Sequence, residues 1–365
     1  MRSIAVCFGV VIRLCVQYLL AFGLFGAFQP YLPVLLRERG LSQSQVGYVI
    51  GLAHIGLLVT PVLLTLLADL HWTARRLLAM CFTAGAGMLL LLIGAEGFWP
   101  LLLTYLAFAL ALAPMVPLQD GLNFAVMAER QRAGRAIVPF HRIRVWGTVG
   151  YILPGLVLFV PLRGDWPTVT AMWLAVGIAG VGLVNTFTLP HPKKDIEGLA
   201  ERRKPTLSAL RVMGRRRLLL FCVALAVSNI SVAAYYGFYP QHLTERVGLD
   251  DSWLSVTTLI AVGLEIFLML GFGRVRRWIG LRGIVVLGAS ALALRLLLLG
   301  LTDDPVVAVA TQVLHAPMVM LIHVAPPVFL NEHAEDHFRS SLQGLFAMVT
   351  MGVARMVGMF MAGHL

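Results

Sequence analysis

The chain alternates long apolar runs with short polar breaks. About 20 apolar residues form a helix long enough to cross the hydrocarbon layer of a bilayer. Eleven such runs lie near residues 11–36, 44–69, 76–95, 98–127, 145–162, 167–189, 218–242, 252–273, 282–301, 305–330 and 341–364. The pattern therefore predicts an all-α integral membrane protein with eleven visible spans.

The composition supports this class. Hydrophobic residues make up 59% of the chain and charged residues 13%, and the mean hydropathy of +0.83 is far above that of soluble domains. The first apolar run continues past Phe28 without a cleavage site, so we interpret it as a retained span. Cys7, Cys15, Cys81 and Cys222 lie in apolar stretches without ligand spacing, which argues against a disulfide framework or a structural zinc site.

The basic residues predict the orientation of the chain. With a cytoplasmic N-terminus, 22 of the 29 Lys and Arg residues face the cytoplasm, mostly in 130–144, 193–217 and 274–282. The positive-inside rule favours this arrangement. Attraction to anionic lipid headgroups accounts for much of the net charge of +11, and we therefore expect a lipid bilayer and no nucleic acid as a partner.

Residues 191–217 separate six spans from five and carry nine basic and three acidic side chains. We expect residues 1–190 to form an N-terminal six-helix bundle, 191–217 a cytoplasmic central loop, and 218–365 a C-terminal bundle with five visible spans. A short amphipathic helix on the membrane surface is the alternative for the central segment.

The two halves carry an internal repeat. The first span ends in PYLP at 30–33, and GLS follows at 40–42; the seventh ends in FYP at 238–240, and GLD follows at 248–250. Parallel six-span repeats are the plan of the major facilitator fold, whose two pseudo-symmetric bundles enclose the substrate site. On this plan a twelfth span is missing, through truncation or a gene-boundary error, with a true eleven-span protein as the alternative.

Polar side chains inside the spans are functional candidates, because a charge in the hydrocarbon layer costs several kcal/mol unless it is paired or hydrated. As proton-coupling candidates we take Glu265, Arg295, Asp120 and His323. As substrate-binding candidates we take Gln119, Asn123, Asn229, Tyr235, Tyr236, His54, His315 and Arg355.

Each candidate also has a structural alternative. Asp120 follows a proline-kinked start of the fourth span and is either a cavity residue or a polar clamp between helices. Arg295 either couples to Glu265 in one conformation or neutralises it permanently. His315 and His323, expected on one face of the tenth span, are either functional or hydrogen-bonded packing residues.

No enzyme motif occurs in the chain: GxSxG, HExxH and a Walker A loop are all missing from the sequence. We therefore expect a protein that is not an enzyme, that needs no cofactor, and that uses a proton gradient as its driving force.

Several segments together resemble the phenylpropionate-transporter-like branch of the major facilitator superfamily, near the nucleoside and oligosaccharide proton symporters. They are QPYLP at 29–33, PLQD at 117–120, RIRVWGTVGY at 142–151 and the mid-span Glu265. The motif in the fifth span consists of Arg142, Arg144, Trp146 and Gly147. The resemblance implies a symporter in the bacterial inner membrane that takes up its solute with protons.

Two departures limit the resemblance. The superfamily's gating loop reads GxxxDRxGRR, whereas here Asp69 is followed by leucine, and Arg75 and Arg76 come two residues late. In lactose-permease-like relatives an acid, an arginine and a histidine on spans eight to ten, with a second acid near the histidine, form the proton and sugar machinery. Glu265, Arg295 and His323 match by type and span, but a proline, Pro326, stands where the second acid is expected, which argues against a sugar substrate.

The combined hypothesis is a monomeric carrier for a small organic solute, with an aromatic or carboxylated compound favoured by the basic and aromatic candidates. A drug or metabolite exporter is the first alternative. A membrane sensor built on a transporter scaffold, without transport, is the second.

The orientation is testable by cysteine labelling. With basic segments inside, Arg203→Cys should resist an impermeant thiol reagent in intact cells, while Thr302→Cys should react. Both positions should react once the membrane is permeabilised. Labelling of position 203 in intact cells would overturn the orientation and the repeat assignment with it.

Overall fold

The protein is represented by a computed structural model that describes residues 2–60, 72–138, 140–190, 213–333 and 345–364. The described residues are almost entirely helical and contain no strand. The α-helices are α1 (Arg2–Phe28), α2 (Leu32–Glu38), α3 (Gln43–Ala53), α4 (Ala74–Gly94), α5 (Phe98–Leu112), α6 (Met115–Arg132), α7 (Phe140–Arg163), α8 (Thr170–Thr186), α9 (Arg216–Gln241), α10 (Ser252–Leu301), α11 (Pro305–Ala310), α12 (His315–Val319), α13 (Ala325–His333) and α14 (Ala354–His364).

Nine helical segments in the described part of the chain are long and apolar enough to cross a membrane, and the shorter apolar helix α8 adds to them. The all-α membrane class is thus confirmed. The expected second span, 44–69, extends into residues 61–71, outside the described ranges. The expected central loop lies largely outside them too, since 191–212 are not described.

The chain divides into two compact units. The first contains Met1–Gln29, Val59–Val157 and Pro167–Arg203, and the second contains the remainder. In this division residues 30–58 group with the C-terminal residues. Helix α3 packs closely on α14, because Gly47 and Gly363 bring the two backbones into contact.

In the first unit, α1 and α7 also meet through glycines. A Cβ atom on Gly26 would overlap the backbone of Tyr151, and a Cβ atom on Gly150 would overlap the backbone of Leu19. Small residues at such positions allow the van der Waals contact that holds helices together in lipid, where no hydrophobic driving force acts between them.

The internal repeat has a structural counterpart. Gly40 and Gly248 both adopt positive φ, at 79° and 76°, which only glycine adopts without strain. Two residues later, a polar side chain accepts a hydrogen bond from the start of the next helix: the Ser42 hydroxyl from the Gln45 N–H at 3.3 Å, and the Asp250 carboxylate from the Ser252 N–H at 3.0 Å. The repeated Gly-Leu-Ser/Asp sequence is thus a repeated turn between helices.

The repeated segments also contact each other within the second unit. Gln241 Nε2 donates to the Pro33 carbonyl at 3.2 Å, and Arg37 Nε pairs with Glu245 Oε1 at 3.0 Å. The ion pair is largely exposed, so its contribution to stability is small.

The tenth span is not one regular helix. Between α11 and α12 lies a 3₁₀ turn, Thr311–Leu314, and between α12 and α13 lies a π turn, Met320–Val324. Such turns change the angle between successive side chains. His315 is buried and His323 is exposed; their common face stays a prediction.

The α1–α7 contact generates a stability prediction. Gly150→Leu places a branched side chain against the backbone of α1, and overpacking of this kind typically costs about 1–3 kcal/mol or more. We expect a lower Tm in detergent and a smaller monodisperse fraction in size-exclusion chromatography. Gly177→Leu is the matched control, because a Cβ atom at Gly177 meets no other atom within 4 Å. Equal Tm values for the two variants would contradict the proposed backbone contact.

Candidate functional site

A fully buried arginine organises the polar part of the second unit. Arg295 on α10 has no exposed surface, and its Nη2 donates to the Tyr235 hydroxyl of α9 and to Gln312 Oε1. Its guanidinium carbon lies 3.8 Å from the centre of the Tyr235 ring, a distance typical of a cation–π contact. Gln312 in turn donates from Nε2 to the same hydroxyl at 3.2 Å. These three side chains form one connected network.

His315 joins this network to an acid. Arg295 Nη1 contacts His315 Nδ1 at 3.2 Å, and His315 Nε2 lies 3.8 Å from Glu265 Oε2. An arginine only donates, so the contact assigns a lone pair to Nδ1 and the hydrogen to Nε2, which points at Glu265. The expected pair of Glu265 and Arg295 is therefore connected through His315.

A second arginine, only partly buried, lies on α14. Arg355 Nε donates to Asn229 Oδ1 at 2.9 Å, and the Asn229 amide is itself held by its 2.9 Å hydrogen bond to the Leu225 carbonyl on α9. Asn229 is 1% exposed. The Nη2 atom of Arg355 is buried and has no hydrogen-bond partner.

Tyr236 packs beside the Arg295 network. Its ring centre is 5.3 Å from that of Tyr235 and 5.9 Å from that of His315, and it interacts electrostatically with Arg355. The Tyr236 side chain is 43% exposed, unlike the buried Tyr235. It therefore presents an accessible aromatic surface beside this network.

His54 follows the end of α3 and interacts electrostatically with Arg355. Its Nδ1 lies 3.2 Å from the Ile50 carbonyl and 3.3 Å from the Gly51 carbonyl. Carbonyl oxygens only accept, so Nδ1 carries the hydrogen and Nε2 has the lone pair in the neutral ring. His54, Asn229, Tyr236 and Arg355 thus form one group in the second unit.

The fourth-span candidates lie in the first unit. Asp120 on α6 accepts a hydrogen bond from the Tyr18 hydroxyl of α1 at 2.6 Å. Gln119 and Asn123 are each 1% exposed, and all four of their amide nitrogen and oxygen atoms are buried without a hydrogen-bond partner. Buried amides of this kind require a partner, such as water or a ligand.

The fifth-span motif has a structural explanation for two of its members. Arg144 on α7 lies over the Phe22 ring of α1, with its guanidinium carbon 4.0 Å from the ring centre. Gly147 leaves room for this contact, because a Cβ atom there would meet both side chains. Arg142 and Trp146, by contrast, are exposed.

Of the gating-loop candidates, Asp69 lies outside the described residues. Arg75 and Arg76 line a cavity of about 430 Å³ together with Trp72, Ala79, Met80 and Phe187. The Arg75 guanidinium lies 6.0 Å from the centre of the Phe187 ring.

Sequence reasoning missed Tyr18 as the partner of Asp120. The available signal was the polar pair Gln17-Tyr18 inside an otherwise apolar run. Gln17 is 1% exposed and accepts a hydrogen bond from Asn185 Nδ2 at 3.0 Å. Among the described residues, no group of three or more His, Cys, Asp or Glu side chains is arranged to hold a metal ion.

Comparison with known families gives one match across most of the chain. The sequence model of the MFS_1 like family matches residues 11–365. The chain is similar to YegT, a candidate nucleoside transporter of Escherichia coli strain K12, with 26% identity over 93% of this chain and 80% of YegT. It is also similar to the "Probable 3-phenylpropionic acid transporter" of that strain, with 24% identity over 96% of this chain and 90% of the relative.

Among solved structures, the crystal structure of nucleoside transporter NupG is similar, with a TM-score of 0.82 and 20% identity over 97% of this chain and 90% of NupG. At this identity the likeness concerns the fold. It confirms the major facilitator fold that the repeat predicts.

If Asp120 is a polar clamp between helices, its hydrogen bond with Tyr18 should stabilise the folded protein. A hydrogen bond to a charged group contributes about 1.5–3 kcal/mol, so Tyr18→Phe and Asp120→Asn should each lower the Tm, and the double variant should lower it by less than their sum. If Asp120 is instead a ligand or proton site, Asp120→Asn should change affinity or coupling while Tyr18→Phe does not. Thermal unfolding and uptake measured on the same four proteins separate these outcomes.

Proposed function

Because this chain belongs to the MFS_1 like family, whose relatives are membrane transporters and not enzymes, we propose that it takes up a small aromatic solute together with protons. The chain is a multi-pass inner-membrane protein that carries small molecules. We further propose proton coupling, an aromatic substrate, inward transport, a monomeric state and a cytoplasmic N-terminus.

The observation that carries the proposal is the connected group of Arg295, His315 and Glu265. Protonated His315 has N–H groups on both ring nitrogens. The one on Nδ1 would then face the Arg295 guanidinium, and two cations would be in contact in a buried place. Proton uptake by His315 and its contact with Arg295 therefore exclude each other.

Glu265 completes the proton site. With His315 neutral, its Nε2–H points at Glu265, whose Oε2 lies 3.8 Å away. A proton that binds to the pair of His315 and Glu265 cancels the negative charge opposite Arg295. The net charge of these three side chains therefore changes by one with each proton. Asp120 and His323 remain the other proposed proton sites.

Substrate binding shares atoms with this group. Tyr235 and Gln312 hold Arg295, and both have hydrogen-bonding groups of the kind that fix an organic ligand. A ligand that hydrogen-bonds either side chain alters the partners of Arg295 and thus the proton affinity of the neighbouring pair. This is a coupling free energy between two ligands, as symport requires.

The aromatic side chains support an aromatic substrate. Tyr235 and Tyr236 place two rings beside the buried amides of Gln312 and Asn229. The names of the relatives describe carriers of nucleosides and of 3-phenylpropionic acid, and both compounds contain a planar ring. In this proposal His54 and Arg355 bind polar groups of the solute. Gln119 and Asn123 stay proposed substrate-binding residues of the first unit.

The central test is Glu265→Gln, which mimics the protonated acid permanently. The variant should bind and exchange substrate, but its accumulation ratio in proteoliposomes with an imposed pH gradient should fall to about one. The measurement is uptake of radiolabelled uridine and 3-phenylpropionate, with and without the gradient.

Arg37→Gln is the control, since Arg37 forms a largely exposed ion pair with Glu245 and belongs to no proposed site. It should accumulate substrate like the wild type. Concentrative uptake by the Glu265→Gln protein, with normal alkalinisation of the medium, would eliminate Glu265 as the coupling site. An exporter would require the opposite gradient, and a sensor would bind substrate without accumulating it.

A further inference from the structure

We propose that Arg355 forms a subsite for one carboxylate of the transported molecule, so that the substrate of this carrier is an aromatic monocarboxylate. The inference rests on the proposed transport function and specifies the charge of its substrate. It is carried by a partly buried arginine with one buried, unpartnered nitrogen, whose charge the described residues do not balance.

Arg355 lies near the centre of its span, Leu345–His364, where an arginine is most costly in lipid. Its Nε is bound by Asn229, while its Nη2 is buried without a partner. A guanidinium donates in a planar fork that matches both oxygens of a carboxylate. The unpartnered side of this fork is therefore a place for an anion.

The neighbours of Arg355 are neutral. In the described ranges, no carboxylate lies within ion-pair distance of it. The side chain that accepts a hydrogen bond from Arg355 Nε is the neutral amide of Asn229. An aspartate there would have the same shape and would neutralise the arginine. His54 adds no negative charge.

Arg295 provides the internal comparison. Its side chain is fully buried and its Nε also lacks a partner, but Glu265 opposes its charge across His315. Tyr236 packs against His315 in this network and interacts electrostatically with Arg355, which has no acid among its described partners. A substrate whose ring stacks on Tyr236 and whose carboxylate meets Arg355 would satisfy the second arginine as Glu265 satisfies the first.

A single positive charge favours a monoanion over a dianion such as a phosphate monoester, because a second negative charge would remain unpaired in a buried site. Transport of one carboxylate with one proton moves no net charge. Uptake should therefore follow the pH gradient and should not respond to a potassium diffusion potential imposed alone. Uptake driven by the potential alone would overturn this charge balance.

The decisive experiment compares two ligands of the same shape. Thermal unfolding and isothermal titration of the purified full-length protein at neutral pH should give 3-phenylpropionate an affinity at least about tenfold higher than that of the neutral 3-phenylpropionamide. Uridine serves as a neutral ligand with a nucleobase.

Asn229→Asp is the sharpest variant, since it supplies the missing carboxylate from the protein itself. It should remain folded, because the new ion pair with Arg355 offsets the hydrogen bond that the aspartate can no longer donate to the Leu225 carbonyl, and it should lose the preference for 3-phenylpropionate over its amide. Arg355→Gln should lose the same preference, while Arg355→Lys should retain part of it. These variants give a second measurement if Asn229→Asp fails to fold.

Asn185→Asp is the matched control, because Asn185 contacts Gln17, Arg13 and Thr188 rather than Arg355. It should keep the wild-type ligand preference. The inference is overturned if the wild type binds acid and amide equally, if it binds neither, or if Asn229→Asp and Arg355→Gln keep the preference.

The outcomes also separate this inference from the proposed function. Binding of 3-phenylpropionate that depends on Arg355, without uptake driven by a pH gradient, would support the subsite and contradict proton coupling. Proton-driven uptake of uridine without measurable binding of 3-phenylpropionate would support the proposed function and overturn the carboxylate subsite.

Discussion

The polar interior of this protein depends on one constraint, which is that a charge removed from water must be balanced or it becomes very costly. Arg295 satisfies the constraint inside the protein, through His315 and Glu265. Arg355 satisfies it in part, through a neutral amide. This difference between a fully and a partly buried arginine gives the second unit one internally balanced charge and one that a ligand is suited to balance.

Backbone contacts set the positions of these side chains. The glycine contacts of α3 with α14 hold the end of α3, next to His54, against the helix that carries Arg355. The positive-φ turns at Gly40 and Gly248 end the preceding helical segments at repeated places. In the tenth span the 3₁₀ turn precedes His315, which contacts Arg295, and the π turn includes the exposed His323.

The sequence was sufficient to predict the membrane class, the fold and the repeat, because each depends on apolar length and local turn residues. It also identified Glu265, Arg295 and Arg355, since charges inside apolar runs stand out. It did not identify His315 as the link between the first two, because an ideal helical periodicity assumes α-helical turns throughout. Tyr18 escaped notice because a tyrosine in an apolar run is compatible with simple packing, and its contact with Asp120 joins residues 102 positions apart.

A proton site and an anion-binding site need charged residues with different properties. A proton site must exchange its charge in each cycle, which suits a histidine and an acid that share one hydrogen beside a fixed cation. A site that selects an anion should keep its own charge constant, which suits an arginine held by an amide. Tyr236 packs against His315 of the proton group and interacts electrostatically with Arg355 of the anion group. A ring that stacks on Tyr236 would therefore lie near charged residues of both groups, and this provides a physical route by which substrate binding and proton binding influence each other.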